Sequence, residues 1–365
     1  MKVAIVYDWA NQIGGAERVL EAIHEIWPQA PLFTSVFDQK RALWAKKFHL
    51  VKTSFLQKIP GAKKHYRIFG PLMAIAFEQF NFDQFDLVIS VTSGPAKAII
   101  AKPQTCHICY CLTPHRYLWM KRFLSHQWLF PFLAPLRVRD YFFSQRPDYF
   151  LTISKTVARR VKKFYGREAK VVYPGVLKKR ELKKIKKKDY FLIVSRLIYH
   201  KRVDLAIKAF NKLGWPLKIV GQGPEKVKLE TMAKTNIEFL GEVSEKRLWS
   251  LYEKAKAVIC PQEEDFGLVA VESQLAGTPV VSFGAGGARE TIIKGITGEF
   301  FNKQNEKSLA KVLKLFSTKK YSPEKCWQNS QGFLKKFFLL EFKKTIGAIW
   351  KEYQKKNAFA LLKER

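Results

Sequence analysis

Acidic residues are scarce in this sequence of 365 residues: 31 aspartates and glutamates stand against 65 lysines and arginines, so the formal net charge is +34. Long apolar runs are lacking too, and none approaches the ~20 residues that a membrane-spanning helix needs. The segment from Met1 to Asp8 has neither the apolar core nor the cleavage site of a signal peptide. We therefore predict a cytoplasmic protein whose charge attracts an anionic partner: nucleic acid, anionic lipid or a phosphorylated small molecule.

Cysteine is also sparse, with five residues, and the odd number argues for reduced thiols rather than a disulfide framework. Three of them cluster at Cys106, Cys109 and Cys111. No second Cys/His pair stands at a spacing that would complete a tetrahedral metal site. We predict buried strand thiols at these positions, with no bound metal and no cofactor.

Short apolar runs recur along the chain with helical patterns between them, which is typical of parallel sheets covered by helices. A first series of predicted strands lies near residues 2–7, 32–36, 87–90, 107–110, 149–153 and 171–173. A second series lies near residues 190–194, 217–220, 237–240, 257–259 and 280–283. The pattern predicts an α/β protein of two doubly wound, Rossmann-like domains that face each other across a cleft.

A basic run from Lys178 to Lys188 separates the two series. We interpret this run as a solvated linker, with an anion-binding patch as the alternative. The predicted domains are residues 1–177 and residues 178–345. Residues 346–365 are predicted to form a C-terminal helix that packs back on the N-terminal domain.

In doubly wound sheets the ligand binds at the carboxyl ends of the strands, so the loops that follow strands are candidate sites. Arg196 and Lys201 lie between the strand near 190–194 and a predicted helix that begins at Val203. At such a turn, an arginine fork and a lysine ammonium can converge on one diphosphate.

Acids concentrate at positions 263–265, after the strand near 257–259. The pattern that follows predicts a helix from Phe266 to Ala276, with Gly277 as its cap. Glu264 then precedes the helix and Glu272 lies about two turns inside it. Carboxylates accept paired hydrogen bonds from vicinal diols, so the two suit a sugar and a ribose flanking a diphosphate. The alternative is an acidic cluster that complements the helix dipole, with one solvated glutamate.

Two glycine-rich segments also follow predicted strands and open predicted helices. Gly14 and Gly15 follow the first strand, and Gly284 to Gly287 follow the strand near 280–283. A glycine pair lets backbone amides approach a phosphate or a sugar, and the helix dipole favours an anion there. Such a pair is also common as a simple turn.

Together these segments resemble glycosyltransferase family 4, a group of retaining enzymes with the GT-B fold, over nearly the whole chain. The most specific part is Glu264 followed after seven residues by Glu272, with Phe266-Gly267-Leu268 between them. Other matching segments are Ser195-Arg196-Leu197 with Lys201, Gly221-Gln222-Gly223-Pro224 and Ala276-Gly277-Thr278-Pro279-Val280-Val281. Segments that resemble a bacterial mannosyltransferase-like subgroup are Gly14-Gly15-Ala16-Glu17, Tyr110-Cys111, Thr113-Pro114 and Arg116-Tyr117-Leu118-Trp119.

The resemblance implies a role for each matching residue. Arg196 and Lys201 would neutralise the donor diphosphate in place of a metal, Glu264 would contact the transferred sugar, and Glu272 would contact the ribose. Further donor-binding positions implied are Gly14, Gly15, Gly221, Phe266, Gly267, Leu268 and Val269. No clear Asp-x-Asp metal motif occurs in the sequence. The resemblance thus implies a retaining, metal-independent hexosyltransferase that stabilises the departing nucleoside diphosphate electrostatically.

One position departs from the subgroup's pattern. The subgroup places a histidine that reaches the donor sugar where this chain has Leu112, and His115 lies three residues further on. We take His115 as the candidate catalytic replacement. A catalytically silent sugar-nucleotide binder is the alternative function.

Cations alternate with aromatic residues between Arg116 and Tyr149, for example at Trp128, Phe132 and Phe142. This mixture is typical of a surface that binds an anionic membrane interface. The alternative, that half of these aromatics belong to the core, is equally compatible with the sequence.

The predicted partners follow from the resemblance and from this surface. The donor is a nucleoside-diphosphate sugar, with GDP-mannose favoured by the subgroup. The acceptor is a saccharide or a polyprenyl-linked saccharide of cell-surface polysaccharide synthesis, at the inner face of the plasma membrane. A basic nucleic-acid-binding protein is the rival from another class, but no nucleic-acid motif occurs and the acids at 263–265 oppose such a ligand. We therefore predict no nucleic-acid partner.

Overall fold

The computed structural model describes residues 1–65, 69–124, 126–175, 180–183 and 185–363. The chain forms two compact units. Unit 1 comprises Met1–Val176 and Lys335–Arg365, and unit 2 comprises Leu177–Leu334. The predicted domain boundary at 177/178, and residue 184 of the predicted linker, fall outside the described residues.

Unit 1 contains a parallel sheet of seven strands in the order β3-β2-β1-β4-β5-β6-β7. The strands are β1 Val3–Tyr7, β2 Leu32–Thr34, β3 Val51–Thr53, β4 Leu87–Thr92, β5 Cys106–Cys111, β6 Tyr149–Thr152 and β7 Lys170–Val171. The helices before the second sheet are α1 Gly15–Ile26, α2 Ala62–His65, α3 Gly70–Glu78, α4 Arg116–Trp119, α5 Ala134–Ser144 and α6 Lys155–Tyr165.

Unit 2 contains a parallel sheet of six strands in the order β10-β9-β8-β11-β12-β13. The strands are β8 Phe191–Val194, β9 Leu217–Val220, β10 Ile237–Gly241, β11 Ala257–Cys260, β12 Val280–Phe283 and β13 Gly298–Phe301. The helices are α7 Val203–Leu213, α8 Lys226–Met232, α9 Glu245–Lys254, α10 Leu268–Leu275, α11 Ala288–Thr291, α12 Glu306–Ser317 and α13 Pro323–Ser330. The predicted class of two doubly wound, Rossmann-like domains is confirmed.

The central strands are buried on both faces because helices cover the parallel sheets. All of β5 is buried, including the three clustered cysteines. Burial raises the pKa of the Cys109 thiol to about 12, so this group stays protonated near neutral pH. The prediction of buried strand thiols at these positions is confirmed.

The last helix, α14 Lys335–Lys363, belongs to unit 1. The rings of Phe342 and Tyr110 meet edge to face with centroids 5.1 Å apart, and the Tyr353 hydroxyl donates to the Pro103 carbonyl at 2.6 Å. The helix begins eleven residues before the start predicted at 346, and it continues through Gly347, which disfavours helix only weakly.

None of the helices in the described ranges combines the length and the apolar character that crossing a bilayer requires.

Candidate functional site

The strand order of unit 2 reverses between β8 and β11, where the chain crosses from one half of the sheet to the other. In doubly wound folds this switch point is where a crevice opens at the carboxyl ends of the strands. The loop 195–202 leaves β8 there and the loop 261–267 leaves β11. Five of the predicted site residues lie on these two loops: Arg196, Lys201, Glu264, Phe266 and Gly267.

Lys201 and Glu264 form an ion pair at this switch point. The Lys201 Nζ lies 2.9 Å from Glu264 Oε1, and both side chains are mostly buried, at 18% and 17% exposure. The Gln262 amide nitrogen donates to the same carboxylate oxygen. The Gln262 Oε1 is buried and has no partner among the described residues. An unsatisfied buried acceptor is costly, so a hydroxyl donor would complete this corner of the site.

Arg196 lies on the same loop as Lys201, but its side chain is exposed and makes no hydrogen bond or ion pair with the described residues. The loop's backbone is held by the segment after β9. A Cβ on Gly221 would lie 1.9 Å from the Ser195 carbonyl oxygen, and one on Gly223 would lie 2.2 Å from that of Leu197. Gly221 thus supports the loop that carries Arg196 through close backbone packing.

Arg202 and Gln304 join the two loops, a link for which the sequence carries no recognisable pattern. Arg202 adopts a left-handed conformation at φ 50°, the one described non-glycine residue with positive φ. Its guanidinium donates to Gln304 Oε1 at 3.3 Å, and the Gln304 amide donates to the Pro261 carbonyl at 3.1 Å. The bridge fixes the Lys201 loop against the loop that carries Glu264.

The helix α10 begins at Leu268, two residues after the predicted start at Phe266. Phe266 is buried, and its ring meets that of Phe333 edge to face at 5.6 Å. Gly267 precedes the helix at φ 100°, a conformation that suits glycine. The amides of Leu268 and Val269 belong to the first helical turn, which has no intrahelical acceptors for them, so they are available to an anion.

Glu272 lies inside α10 and is buried at 7% exposure. The Tyr252 hydroxyl donates to Glu272 Oε2 at 2.7 Å. A solvated surface glutamate, the alternative that the sequence left open, is therefore wrong. Tyr252 was not predicted as a site residue, because a single tyrosine on α9 carries no pattern in the sequence.

The glycine segment 284–287 supports the acidic loop directly. The Gly287 amide donates to the Glu264 carbonyl at 2.7 Å. A Cβ on Gly286 would lie 2.1 Å from that same carbonyl oxygen, and one on Gly287 would lie 2.5 Å from the Phe266 Cα. These contacts show that the segment packs closely against the backbone around Glu264. Its role as an anion-binding turn stays a prediction.

Replacing Gly286 by alanine should displace the Glu264 loop and weaken nucleoside-diphosphate binding at least about tenfold, since the new Cβ has no room. Gly295 provides the control because it has a similar φ of 77°, but a Cβ there would meet nothing within 4 Å among the described residues. Gly295→Ala should cost only backbone strain of ~1–2 kcal/mol and leave affinity unchanged. Titration calorimetry on both variants makes the comparison. Equal loss of affinity in the two would contradict the packing argument.

In unit 1, Gly14 precedes α1 and Gly15 is its first residue. Glu17, in the first turn, is buried and accepts a hydrogen bond from the Tyr7 hydroxyl at 2.7 Å. A Cβ on Gly14 would lie 3.1 Å from the other Glu17 carboxylate oxygen. Because this carboxylate already complements the helix dipole, the turn favours a neutral hydroxyl over a second anion.

His115 caps the start of α4, beyond the carboxyl end of β5. Its Nδ1 is buried without a partner among the described residues, and its backbone amide donates to the Tyr165 hydroxyl at 3.3 Å. Burial lowers the pKa of the imidazole, and Lys97 lowers it further against the opposing effect of Asp140. His115 is therefore neutral near pH 7, with one ring nitrogen able to accept a proton. Leu112 directly follows β5 and is buried.

A buried ion pair that the sequence did not reveal lies behind this segment. The Lys97 ammonium bonds to the Asp140 carboxylate, and the two residues are 2% and 5% exposed. The other Asp140 oxygen accepts from Trp119 Nε1 and from the Tyr165 hydroxyl, each at 2.7 Å. Asp140 thus holds the segment that contains His115 from two sides.

Unit 2 is similar in sequence to a known protein family. Residues 177–333 match the family model described as glycosyl transferases group 1. The match covers nearly all of unit 2, including the Lys201 and Glu264 loops. Unit 2 is therefore similar to the group 1 glycosyltransferases over nearly its whole length.

Curated relatives align over part of their length. An uncharacterised glycosyltransferase of Methanocaldococcus jannaschii is 28% identical over 223 residues, which cover 59% of this chain and 62% of that protein. The O-antigen chain mannosyltransferase RfbU of Salmonella typhimurium is 30% identical over 199 residues, covering 51% of this chain and 54% of that protein. The chain thus spans between half and two thirds of these relatives.

Solved structures match over nearly the whole chain. HepE of Anabaena, in complex with UDP and glucose, superposes with a TM-score of 0.71 at 18% identity, covering 95% of this chain and 99% of that structure. The lipopolysaccharide outer core galactosyltransferase WaaB superposes with a TM-score of 0.66, also at 18% identity and with the same coverages. At this identity the match supports the fold, and the neighbours are GT-B glycosyltransferases.

Proposed function

We propose that the protein is a retaining, metal-independent glycosyltransferase of family 4 that transfers a hexose from a nucleoside-diphosphate sugar. The Lys201–Glu264 pair at the switch point of a group 1 domain carries this proposal. The pair supplies a cation and a carboxylate on the loops that leave β8 and β11, and the second of these loops leads into the amides of Leu268 and Val269. A sugar diphosphate matches this arrangement, because its negative phosphates suit the cation and the amides and its sugar hydroxyls suit the carboxylate.

In the proposed complex the Lys201 ammonium and the Arg196 guanidinium neutralise the diphosphate as its bond to the sugar breaks. The Arg196 side chain is exposed and able to move onto a ligand, whereas Lys201 is held in place by Glu264. Fixed charges that need no reorganisation stabilise the leaving group most effectively. Glu264 would keep its lysine contact through Oε1 and accept from the hydroxyls of the transferred sugar through its second carboxylate oxygen.

Glu272 is the proposed ribose ligand. The Tyr252 hydroxyl bonds to one carboxylate oxygen and fixes the orientation of the other. His115, neutral and with a buried Nδ1, is the proposed contact to the donor sugar from unit 1. Gly14 and Gly15 would approach a sugar hydroxyl there through their backbone amides.

The proposed donor is GDP-mannose, and RfbU, a mannosyltransferase, supports the sugar. The proposed acceptor is a saccharide or polyprenyl-linked saccharide of cell-surface polysaccharide synthesis, with the protein peripheral at the cytoplasmic face of the membrane. HepE was solved with UDP and glucose, so UDP-glucose is the competing donor.

A thermal-shift panel of GDP, UDP and ADP, with their sugars, tests the donor and the metal requirement together. At 100 times the dissociation constant, the matching nucleotide should stabilise the fold by about 2.7 kcal/mol. The shift should persist in EDTA, because Lys201 and Arg196 replace the metal. A shift that disappears in EDTA would overturn the metal-independent mechanism.

Turnover of the stabilising donor separates the enzyme from the silent binder. Transfer or slow donor hydrolysis, with the anomeric configuration of the product read by NMR, is expected to show retention. Saturable nucleotide binding without any turnover would favour the alternative function, a catalytically silent sugar-nucleotide binder. The reason for considering this alternative is Leu112, which stands where the subgroup has histidine.

A further inference from the structure

A group of apolar side chains on unit 1 is unusually exposed. Trp128, Phe132, Val138 and Phe142 are 67%, 73%, 56% and 63% exposed. They lie on two short 3-10 helices, Gln127–Leu129 and Pro131–Leu133, and on α5, which follows directly. We call these four residues the aromatic ledge. Exposed apolar side chains concentrated on one segment are typical of an interaction site.

The ledge is a built surface, because its parts are fixed to one another. The rings of Trp128 and Phe132 meet edge to face with centroids 6.3 Å apart. Arg137 on α5 donates to the Phe130 carbonyl at 2.8 Å, and its guanidinium lies 4.5 Å from the Phe130 ring centroid. These contacts tie the 3-10 turns to α5, on which Val138 and Phe142 share a face one turn apart.

The opposite face of α5 is buried in unit 1. Asp140 and Phe143 are 5% and 8% exposed, and Phe143 packs with Ala74 and Ala98. The sequence left open whether the aromatics between 116 and 149 belong to the core or to the surface. The structure divides them: Phe123 and Phe143 are core residues, whereas the rings of the ledge face outward.

The exposed charges of the segment that carries the ledge have one sign. Residues 115–146 contain six arginines and lysines and one acid, Asp140. Asp140 is buried and paired with Lys97, so this segment presents no exposed carboxylate. Among the cations, Lys121 and Arg122 are exposed. Aromatic rings bordered by exposed cations match the headgroup level of an anionic bilayer.

We propose that the aromatic ledge docks unit 1 on an anionic lipid surface, with its rings among the headgroups and the adjoining cations on the lipid phosphates. The inference identifies the surface that would place the protein at a membrane, and it stands whether or not the transfer reaction does. Nucleic acid is the competing anionic partner. A lipid surface fits better because Val138 and Phe142 form an aliphatic and aromatic helix face, which bases do not need.

Flotation of the full-length protein with vesicles tests the ledge. The protein should float with vesicles of phosphatidylglycerol and phosphatidylcholine at moderate salt, and stay behind with phosphatidylcholine alone. The variant W128S/F132S/F142S should lose at least about tenfold in its partition coefficient, since each ring contributes buried apolar area. The matched control V227S/L340S removes side chains that are 76% and 69% exposed elsewhere, and it should float like the original protein.

The thermal shift caused by a nucleoside diphosphate distinguishes a failure of lipid binding from a failure of the proposed donor site. Both variants should retain the thermal shift with the nucleoside diphosphate, which shows that they are folded and that the donor site is intact. Vesicle binding by the triple variant equal to that of the original protein would overturn the proposal. Failure of the original protein to float, or loss of single-stranded RNA binding in the triple variant without any lipid binding, would overturn it as well.

Discussion

Replacing Lys201 by alanine should lower the transfer rate by about two to three orders of magnitude. This is the loss seen when one preorganised group that stabilises the leaving group's charge is removed from an enzyme. The ammonium lies 2.9 Å from Glu264 and is 18% exposed, so water cannot fully replace it. The substitution also leaves the Glu264 carboxylate without its counter-charge. Steady-state kinetics with the donor identified by the thermal-shift panel provide the measurement.

Lys208→Ala is the matched control for this variant. Lys208 lies on α7, the helix that follows the Lys201 loop, and its side chain is exposed. It should leave the rate within about twofold, because exposed charges far from the reacting atoms are screened. Glu264→Gln should reduce the rate as well while keeping a hydrogen-bonding group of the same shape. Near-normal kcat/KM in Lys201→Ala would remove the central pair from the mechanism.

Removing Lys97 should destabilise the protein by about 3–5 kcal/mol, because it leaves the Asp140 carboxylate buried without its partner. Both groups are nearly inaccessible, and Asp140 also accepts from Trp119 and Tyr165. The double replacement Lys97→Met with Asp140→Leu should recover much of the loss, since a buried pair is often worth little more than apolar packing. Urea unfolding of the three proteins gives the comparison.

The pH dependence of stability tests the same pair. Burial opposes ionisation of Asp140, yet Lys97 holds the pKa of this carboxyl below the ordinary 3.8. The stabilisation that ionised Asp140 contributes to the folded state is therefore present above pH 3.8 and is lost as the pH falls through the lower pKa. Burial also opposes the charged form of Lys97, but Asp140 raises the pKa of the ammonium above the ordinary 10.5. The stabilisation from charged Lys97 is therefore present below pH 10.5 and is lost as the pH rises through the raised pKa. In Lys97→Ala the dependence should reverse, since protonation of the unpaired Asp140 relieves the buried charge. A deficit that does not shrink between pH 8 and pH 5 would contradict this.

Much of the fold was readable because buried parallel strands leave continuous apolar runs, as in β1 and β8. The strands β3 and β13 were missed for a physical reason. β3 has three residues, Val51 to Thr53, and one of them is a lysine; β13 begins with Gly298 and includes Glu299. Short edge strands need little apolar character, because one side of each pairs with nothing in its sheet.

The candidate site divides in the same way. Lys201, Glu264 and Glu272 stand at fixed spacings near strand ends, so their pattern was visible in the sequence. Gln304 and Tyr252 come from distant parts of unit 2 and make contacts that only the folded sheet creates. The buried pair Lys97–Asp140 could not be predicted for a second reason. In a chain with 65 lysines and arginines, nothing in the sequence distinguishes one buried lysine from the exposed ones.

The helix α14 has a consequence for the order in which the protein is made. Its residues complete unit 1, where Phe342 packs on Tyr110 and Tyr353 bonds to Pro103. During synthesis, residues 1–176 leave the ribosome first but cannot bury these contacts until all of unit 2 has followed. Unit 2, a continuous segment from Leu177 to Leu334, has its whole sequence available earlier. The nascent chain should therefore protect its second unit from proteolysis before its first.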